Sequence, residues 1–129
     1  MLAKTIKYED YNGEEREETF YFNLSKAELM QMELSTSGGL EKTISKITAE
    51  KDVQKLAEMF KEIIMLSYGE PSADGKYFLK EGGELAKKFE QTEAFSELYW
   101  ELATDSDKAA EFINGIVPKN IQKQIQKAG

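Results

Sequence analysis

The spacing of apolar positions changes several times along the chain, and each change predicts an element. The first 22 residues alternate around Asn12-Gly13. That dipeptide is a strong signal for a two-residue hairpin loop, because a type I′ turn needs positive φ at both central positions. A loop of those two residues places Tyr11 opposite Glu14, Glu9 opposite Arg16, Lys7 opposite Glu18 and Thr5 opposite Phe20. Both charged pairs then carry opposite signs, which cross-strand pairing favours. A two-stranded hairpin is marginal alone, so it must lie on helices or pair with another chain.

The spacing becomes helical after Asn23. Ser25-Lys26-Ala27-Glu28 has the form of a capping box, and Leu24 and Leu29 are placed for a hydrophobic staple across it. This helix should run to about Leu34 and break at Ser35-Thr36-Ser37-Gly38-Gly39. Leu40, Ile44 and Ile47 then suggest a short amphipathic helix. Beyond a junction at residues 48–52, the spacing of Val53, Leu56, Phe60, Ile63, Ile64 and Ser67, with Met59 beside them, predicts a long amphipathic helix. Gly69 is placed to end it as a left-handed cap. Residues 70–75 read as a turn-rich loop, and Lys76-Tyr77-Phe78-Leu79 as a brief strand or extended loop.

Gly82-Gly83 precedes a helix over 84–90 with Leu85 and Phe89 inward. Thr92 is an N-cap for the next helix, whose Phe95, Leu98, Tyr99 and Leu102 share a face. Residues 104–107 cap a last helix carrying Ala109, Phe112 and Ile113. Asn114-Gly115 should close it, ahead of Pro118. The pattern predicts an α+β fold that is mostly α-helical: an N-terminal β-hairpin (1–22) followed by a compact bundle of five or six helices (24–117). One domain over 1–118 is expected. Leu56, Phe60, Ile63, Ile64, Phe89, Phe95, Leu98, Leu102 and Phe112 should be buried.

Charge divides the chain unevenly. Residues 119–129 carry Lys119, Lys123 and Lys127 with no acid, whereas residues 1–118 hold 14 basic and 24 acidic side chains, or −10. The tail reads as a basic solvated end, flexible or loosely helical. It also reads as a docking segment, since Val117, Ile121 and Ile125 make one narrow helical stripe. An acidic body disfavours binding to nucleic acid through phosphate neutralisation. The longest aliphatic run, residues 63–66, is far too short for a membrane span, and no signal peptide is expected.

The composition narrows the chemistry sharply. There are no cysteines and no histidines. Thiolate chemistry, disulfides and His-dependent hydrolases and metal sites are thereby excluded. Glu14, Glu15, Glu17 and Glu18 crowd one strand and read as a solvated, edge-protecting face rather than a catalytic pair. Asp105-Ser106-Asp107 lacks the remaining ligands of a calcium loop and reads as an N-cap. Gly38-Gly39 and Gly82-Gly83 fit no phosphate-loop pattern and read as helix breaks. No reaction centre emerges, and no cofactor or metal is expected. The Phe95–Leu102 face with Trp100 reads as core first, but Tyr99 and Trp100 lie about 100° apart on the same helix, so one of the pair can be inward while the other is available for binding. Candidate partner-binding residues are Tyr99, Trp100, Phe20, Phe22, Ile121 and Ile125.

A series of short phrases points further. Lys4-Thr5-Ile6-Lys7-Tyr8 leads through Asn12-Gly13 to Arg16-Glu17-Glu18 and Phe20-Tyr21-Phe22-Asn23-Leu24-Ser25-Lys26-Ala27-Glu28. Glu33-Leu34 and Gly38-Gly39-Leu40 follow, then Tyr68-Gly69-Glu70 and Gln91-Thr92-Glu93-Ala94-Phe95. Glu101-Leu102-Ala103-Thr104-Asp105 and Phe112-Ile113-Asn114-Gly115-Ile116-Val117-Pro118 complete the series. From Lys4 to Pro118 the chain resembles tail assembly chaperones of long-tailed (siphovirus-type) phages and prophages, especially of Gram-positive hosts. None of these phrases is a catalytic signature; their number and order carry the resemblance.

The resemblance implies a non-enzymatic chaperone made in the host cytoplasm and absent from the mature virion. It would bind the tape measure protein and help tail tube protein polymerise around it. It implies a tendency to self-associate and a longer form made by programmed frameshift near the end of the reading frame. An alternative is an acidic phage or prophage regulatory or inhibitor protein that covers a basic site on a host protein.

Overall fold

The computed structural model describes residues 1–35, 49 and 53–118. The Gly38-Gly39 break, the short helix expected over 40–47 and the tail from Lys119 lie outside the described residues.

Strands β1 (Leu2–Glu9) and β2 (Glu15–Phe22) form the expected hairpin. Helix α1 (Lys26–Ser35) and helix α2 (Val53–Ser67) follow. Two short strands come next, β3 (Tyr68–Pro71) and β4 (Phe78–Leu79). A 3-10 turn at Glu81–Gly83 leads into α3 (Glu84–Glu90), α4 (Glu93–Thr104) and α5 (Ser106–Ile116). The fold is α+β and mostly helical, with antiparallel strands at its start.

The hairpin register differs by one residue from the two-residue loop expected at Asn12-Gly13. Thr5 pairs with Thr19, Lys7 with Glu17, Tyr8 with Arg16 and Glu9 with Glu15. The loop is three residues long. Asp10 donates its N–H to the Glu14 carbonyl (2.8 Å), and Gly13 donates to the Asp10 carbonyl (3.0 Å). Gly13 alone takes positive φ, 80°, so the turn is of the type that ends in a left-handed glycine, not type I′. The Asp10 carboxylate organises it by accepting from the N–H groups of Asn12 (2.9 Å) and Glu14 (3.0 Å).

Side-chain alternation explains why this register wins. It sets Leu2, Ile6 and Tyr8 on the same face as Phe20 and Phe22, and that face packs on the helices. The other register would set Thr5 and Lys7 beside those phenylalanines. Burying a contiguous apolar face outweighs the propensity of a dipeptide.

The sheet is larger than a hairpin. Its order is β1-β2-β3-β4, with Tyr21 opposite Gly69 and Glu70 opposite Leu79. Gly69 was expected as a left-handed helix cap. It is instead a strand residue, at a point of close approach. A Cβ there would meet the Phe78 ring at 2.4 Å and the Leu79 carbonyl oxygen at 2.7 Å. The helix before it ends at Ser67, whose hydroxyl donates to the Ile63 carbonyl (2.7 Å).

Helix starts follow the sequence closely. Ser25 donates its N–H to Glu28 Oε1 (2.9 Å), and Glu28 donates its N–H to Ser25 Oγ (3.1 Å), completing the capping box. Thr92 Oγ1 accepts from Phe95 N–H (3.2 Å). Asp105 Oδ1 accepts from the N–H groups of Asp107 and Lys108. The last helix overruns its expected stop at Asn114-Gly115 and ends at Ile116. Gly115 remains helical with Leu2 packed against it, where a Cβ would lie 2.9 Å from Leu2 Cδ1.

Phe60, Ile64, Phe89, Phe95, Leu98, Leu102 and Phe112 are buried as expected. Leu56 and Ile63 are only half-buried, packing against the rim of the core. At its centre the rings of Tyr68 and Phe89 stack at 4.3 Å with 3° between planes, and Phe22 meets Tyr68, Phe89 and Phe112 edge-on.

Candidate partner-binding surface

The expected partner-binding residues separate once the chain folds. Phe22 is 0% exposed, at the centre of the aromatic cluster. Phe20 is half-buried, with its ring 5.0 Å from Phe89 and 6.3 Å from Tyr8. Tyr99 is half-buried and edge-on to Phe95 at 5.6 Å. Trp100 is 74% exposed. Ile121 and Ile125 lie outside the described residues.

Helix geometry produces the difference between Tyr99 and Trp100. Phe95, Leu98 and Leu102 turn the core side of α4 inward, and Tyr99 lies at the margin of that side. Trp100, one step of 100° further on, reaches the opposite side. Thr104 donates its hydroxyl to the Trp100 carbonyl (2.7 Å), which secures the last turn beneath the indole.

Glu93, Glu97 and Glu101 form a stripe beside Trp100 at a spacing of four, on the side nearest β1. Two of them are tied to the hairpin. Glu101 pairs with Lys4 (3.0 Å), and Glu93 accepts from the Tyr11 hydroxyl (3.0 Å). Glu97 has no hydrogen bond or ion pair with any described residue. A groove runs between this stripe and β1, walled by Glu97, Leu98 and Glu101 on one side and by residues 4–7 on the other. Basic side chains are absent from α4, so the charged residues of this wall, Glu97 and Glu101, are both acids, while Lys4 and Lys7 line the facing wall.

An exposed indole beside an acidic stripe is suited to holding a protein with apolar and basic features. The sequence comparison agrees with a binding role. A family model described as phage tail assembly chaperone matches residues 1–128. The chain belongs to that family. No curated protein and no solved structure matches it. The chaperone's partners are therefore phage tail proteins, met during tail assembly.

A second exposed apolar group in this chaperone has no obvious sequence signal. Lys80 donates to the carbonyls of Asn23 (2.9 Å) and Leu66 (2.8 Å) and to Glu28 Oε2 (2.5 Å). One ammonium thus joins the end of β2, the start of α1 and the end of α2, where it complements the helix dipole. Leu66, whose carbonyl accepts from Lys80, and Leu79, which precedes Lys80 in the chain, are both exposed. Lys80 sits in an irregular segment, so periodicity does not single it out.

Several charged groups of the chaperone stabilise local structure. Burial pushes the Glu28 carboxyl up, but the Lys80 ammonium and the Ser25 N–H outweigh it and leave the group below its usual range. The Tyr68 hydroxyl is pushed up to about 12 by burial, with Glu70 and Glu18 adding to the effect. The Asp10 carboxyl is lowered by its bond to Arg16 Nε (2.6 Å) and by the turn N–H groups. Among the described residues no group of acids is arranged to hold a metal ion, and no helix is long and apolar enough to cross a membrane. Gly82 and Gly83 both take positive φ and break the chain before α3, and Asp105 is an N-cap, as expected.

Proposed function

We propose that this chaperone binds the tape measure protein and aids polymerisation of tail tube protein around it. Membership of the tail assembly chaperone family over residues 1–128 is the observation that carries this reading. Trp100 gives it a physical basis. A long helical client exposes an apolar stripe until the tube encloses it, and an indole on a rigid helix is the kind of anchor that covers such a stripe. The acidic stripe beside it would select basic positions on the client and speed encounter.

The same reading gives a non-enzymatic protein of the host cytoplasm that leaves before the virion is complete. Residues 1–118 form its body and residues 119–129 an appended basic segment, where a frameshifted longer form would diverge. Self-association would use sheet edges that pair with no other strand among the described residues. Co-expression with the tape measure protein tests the reading. The parent chain should retain it in solution and co-purify with it, while Trp100→Ala should weaken capture tenfold or more. Equal capture by both chains would remove the indole from the interface. Failure of the parent to capture the tape measure protein at all would remove the client.

A further inference from the structure

Strand β1 ends the sheet on one side among the described residues. Its ladder with β2 shows which backbone groups point away from the sheet. Asp10 bonds directly to Glu14, and in an antiparallel pair such bonding recurs at every second residue. Leu2, Lys4, Ile6 and Tyr8 therefore direct their N–H and C=O groups to β2. Ala3, Thr5, Lys7 and Glu9 direct theirs outward, into the groove beside α4. Charged side chains on such an edge discourage indiscriminate pairing, and they select the strand that answers them.

Lys4, Lys7, Glu97 and Glu101 all line the groove, so it carries both signs. Lys4 and Glu101 neutralise each other at 3.0 Å. Lys7 and Glu97 make no ion pair or hydrogen bond with any described residue; Glu17 stands across the ladder from Lys7 without bridging to it. Alternation along β1 separates these two charges. Lys7 shares the solvent side of the sheet with Thr5 and Thr19, whereas Glu97 lies on the helix side with Lys4 and Ile6. Their heights match. Lys4 pairs with Glu101 and Tyr11 bonds to Glu93, so α4 runs opposite to β1. Glu97 lies one helical turn from Glu101, roughly 6 Å. Ile6 lies two strand residues from Lys4, a rise of roughly 7 Å. Glu97 is thus level with Ile6, one strand position from Lys7.

We propose that the β1 edge takes an extended segment of a tail protein as an added antiparallel strand, one in which a basic residue turned to Glu97 adjoins an acidic residue turned to Lys7. Successive residues of a strand face opposite ways, so one dipeptide answers both charges. The residue opposite Ile6 meets Glu97, and its neighbour opposite Lys7 meets the ammonium. Outward N–H and C=O groups supply the attachment, and the two charges set the register. A second copy of this chain answers them poorly. The pairing that engages all four outward residues of both strands sets Ala3 against Glu9 and Thr5 against Lys7, with the two-fold axis at Ile6. Each Lys7 then lies diagonal to the Lys7 of the other copy, and the two Glu97 carboxylates meet at the axis. Lys4 gives no relief, because Glu101 already holds it. The occupant of the edge is extended, whereas the client proposed for Trp100 is helical, so either assignment can fail without the other.

The test uses two end-blocked peptides of the same composition, each added at millimolar concentration to the full chain. The first is Lys-Val-Glu-Arg-Thr-Val-Thr, whose Glu falls opposite Lys7 and whose Arg falls opposite Ile6 when it lies antiparallel to β1. The second exchanges that Glu and Arg. Amide exchange is followed by NMR. The first peptide should slow exchange at Thr5 and Lys7 at least threefold, and the second should leave it nearly unchanged. Ile6 and Tyr8, bonded to β2, should exchange alike throughout and report an intact hairpin. Glu97→Lys in the full chain should bring the two peptides to equal protection. No slowing by the first peptide, equal slowing by both in the parent, or a preference that survives Glu97→Lys would each overturn the proposal. Protection of Thr5 and Lys7 without peptide would overturn it too: if it grows with protein concentration the edge belongs to a second copy, and if it persists on dilution the chain covers the edge itself.

Discussion

The aromatic residues at the ends of β2 and α4 look alike in sequence and behave oppositely in the fold. Phe20-Tyr21-Phe22 closes a strand, and Tyr99-Trp100 lies near the end of a helix; each places large rings next to one another. Phe22 is the hub of an interlocked cluster with Tyr68, Phe89 and Phe112, whereas Trp100 stands in solvent. Alternation along the strand turns Phe20 and Phe22 to the core face, where Phe22 is fully buried and Phe20 half-buried. Rotation along the helix carries the last ring of the second group off the core. An aromatic is therefore a binding candidate only after its neighbours have taken their places.

The largest effect that tests this contrast is Phe22→Ala. It removes a ring with three aromatic neighbours and should cost about 3–5 kcal/mol, read as a loss of denaturant midpoint. A cost below about 1 kcal/mol would mean that the cluster is not the centre of stability. Gly69→Ala comes next, because its Cβ would collide with the Phe78 ring and the Leu79 carbonyl. Overpacking here should cost about 1–3 kcal/mol and loosen β3–β4, seen as faster amide exchange there.

Glu28→Ala should cost about 1 kcal/mol, as the capping box and the Lys80 contact are lost together. Its pH dependence is informative. The folded-state carboxyl lies below its ordinary value of 4.5, so its contribution is present above that value and is lost as pH falls through the folded-state pKa. Acid titration of stability should therefore be shallower in Glu28→Ala than in the parent. Superimposable slopes would remove Glu28 from the acid response. The smallest effect belongs to Trp100→Ala, which should change stability by no more than about 0.5 kcal/mol while weakening client capture. Large destabilisation by this change would make Trp100 a packing residue and erase the contrast with Phe22.

Local signals were legible from the chain alone. The capping box at Ser25 and Glu28, the caps at Thr92 and Asp105 and the stripe on α2 depend on residues within a turn or two of one another. Short-range hydrogen bonds and helical spacing are sufficient to establish them. The break at Gly82-Gly83 belongs with these. So does the exclusion of thiol and imidazole chemistry, which needs only composition. The order of the short phrases indicated the family.

Tertiary structure decided what depends on distant partners. The hairpin register followed from which face could be buried against helices more than 60 residues away, and it overrode the turn preference of Asn12-Gly13. Strands β3 and β4 exist because β2 offers an edge to Tyr68 and Gly69, so a glycine that reads locally as a helix stop becomes a point of close strand approach. Lys80 acquires its role only when Asn23, Glu28 and Leu66 converge on its ammonium. Among the candidate binding residues, Phe22 and Trp100 are equally apolar and equally well placed along the chain. Only the closing of the core around one of them distinguishes the ring that holds the protein together from the ring left available to a partner, because burial is settled by every element that packs against a side chain and not by its own position alone.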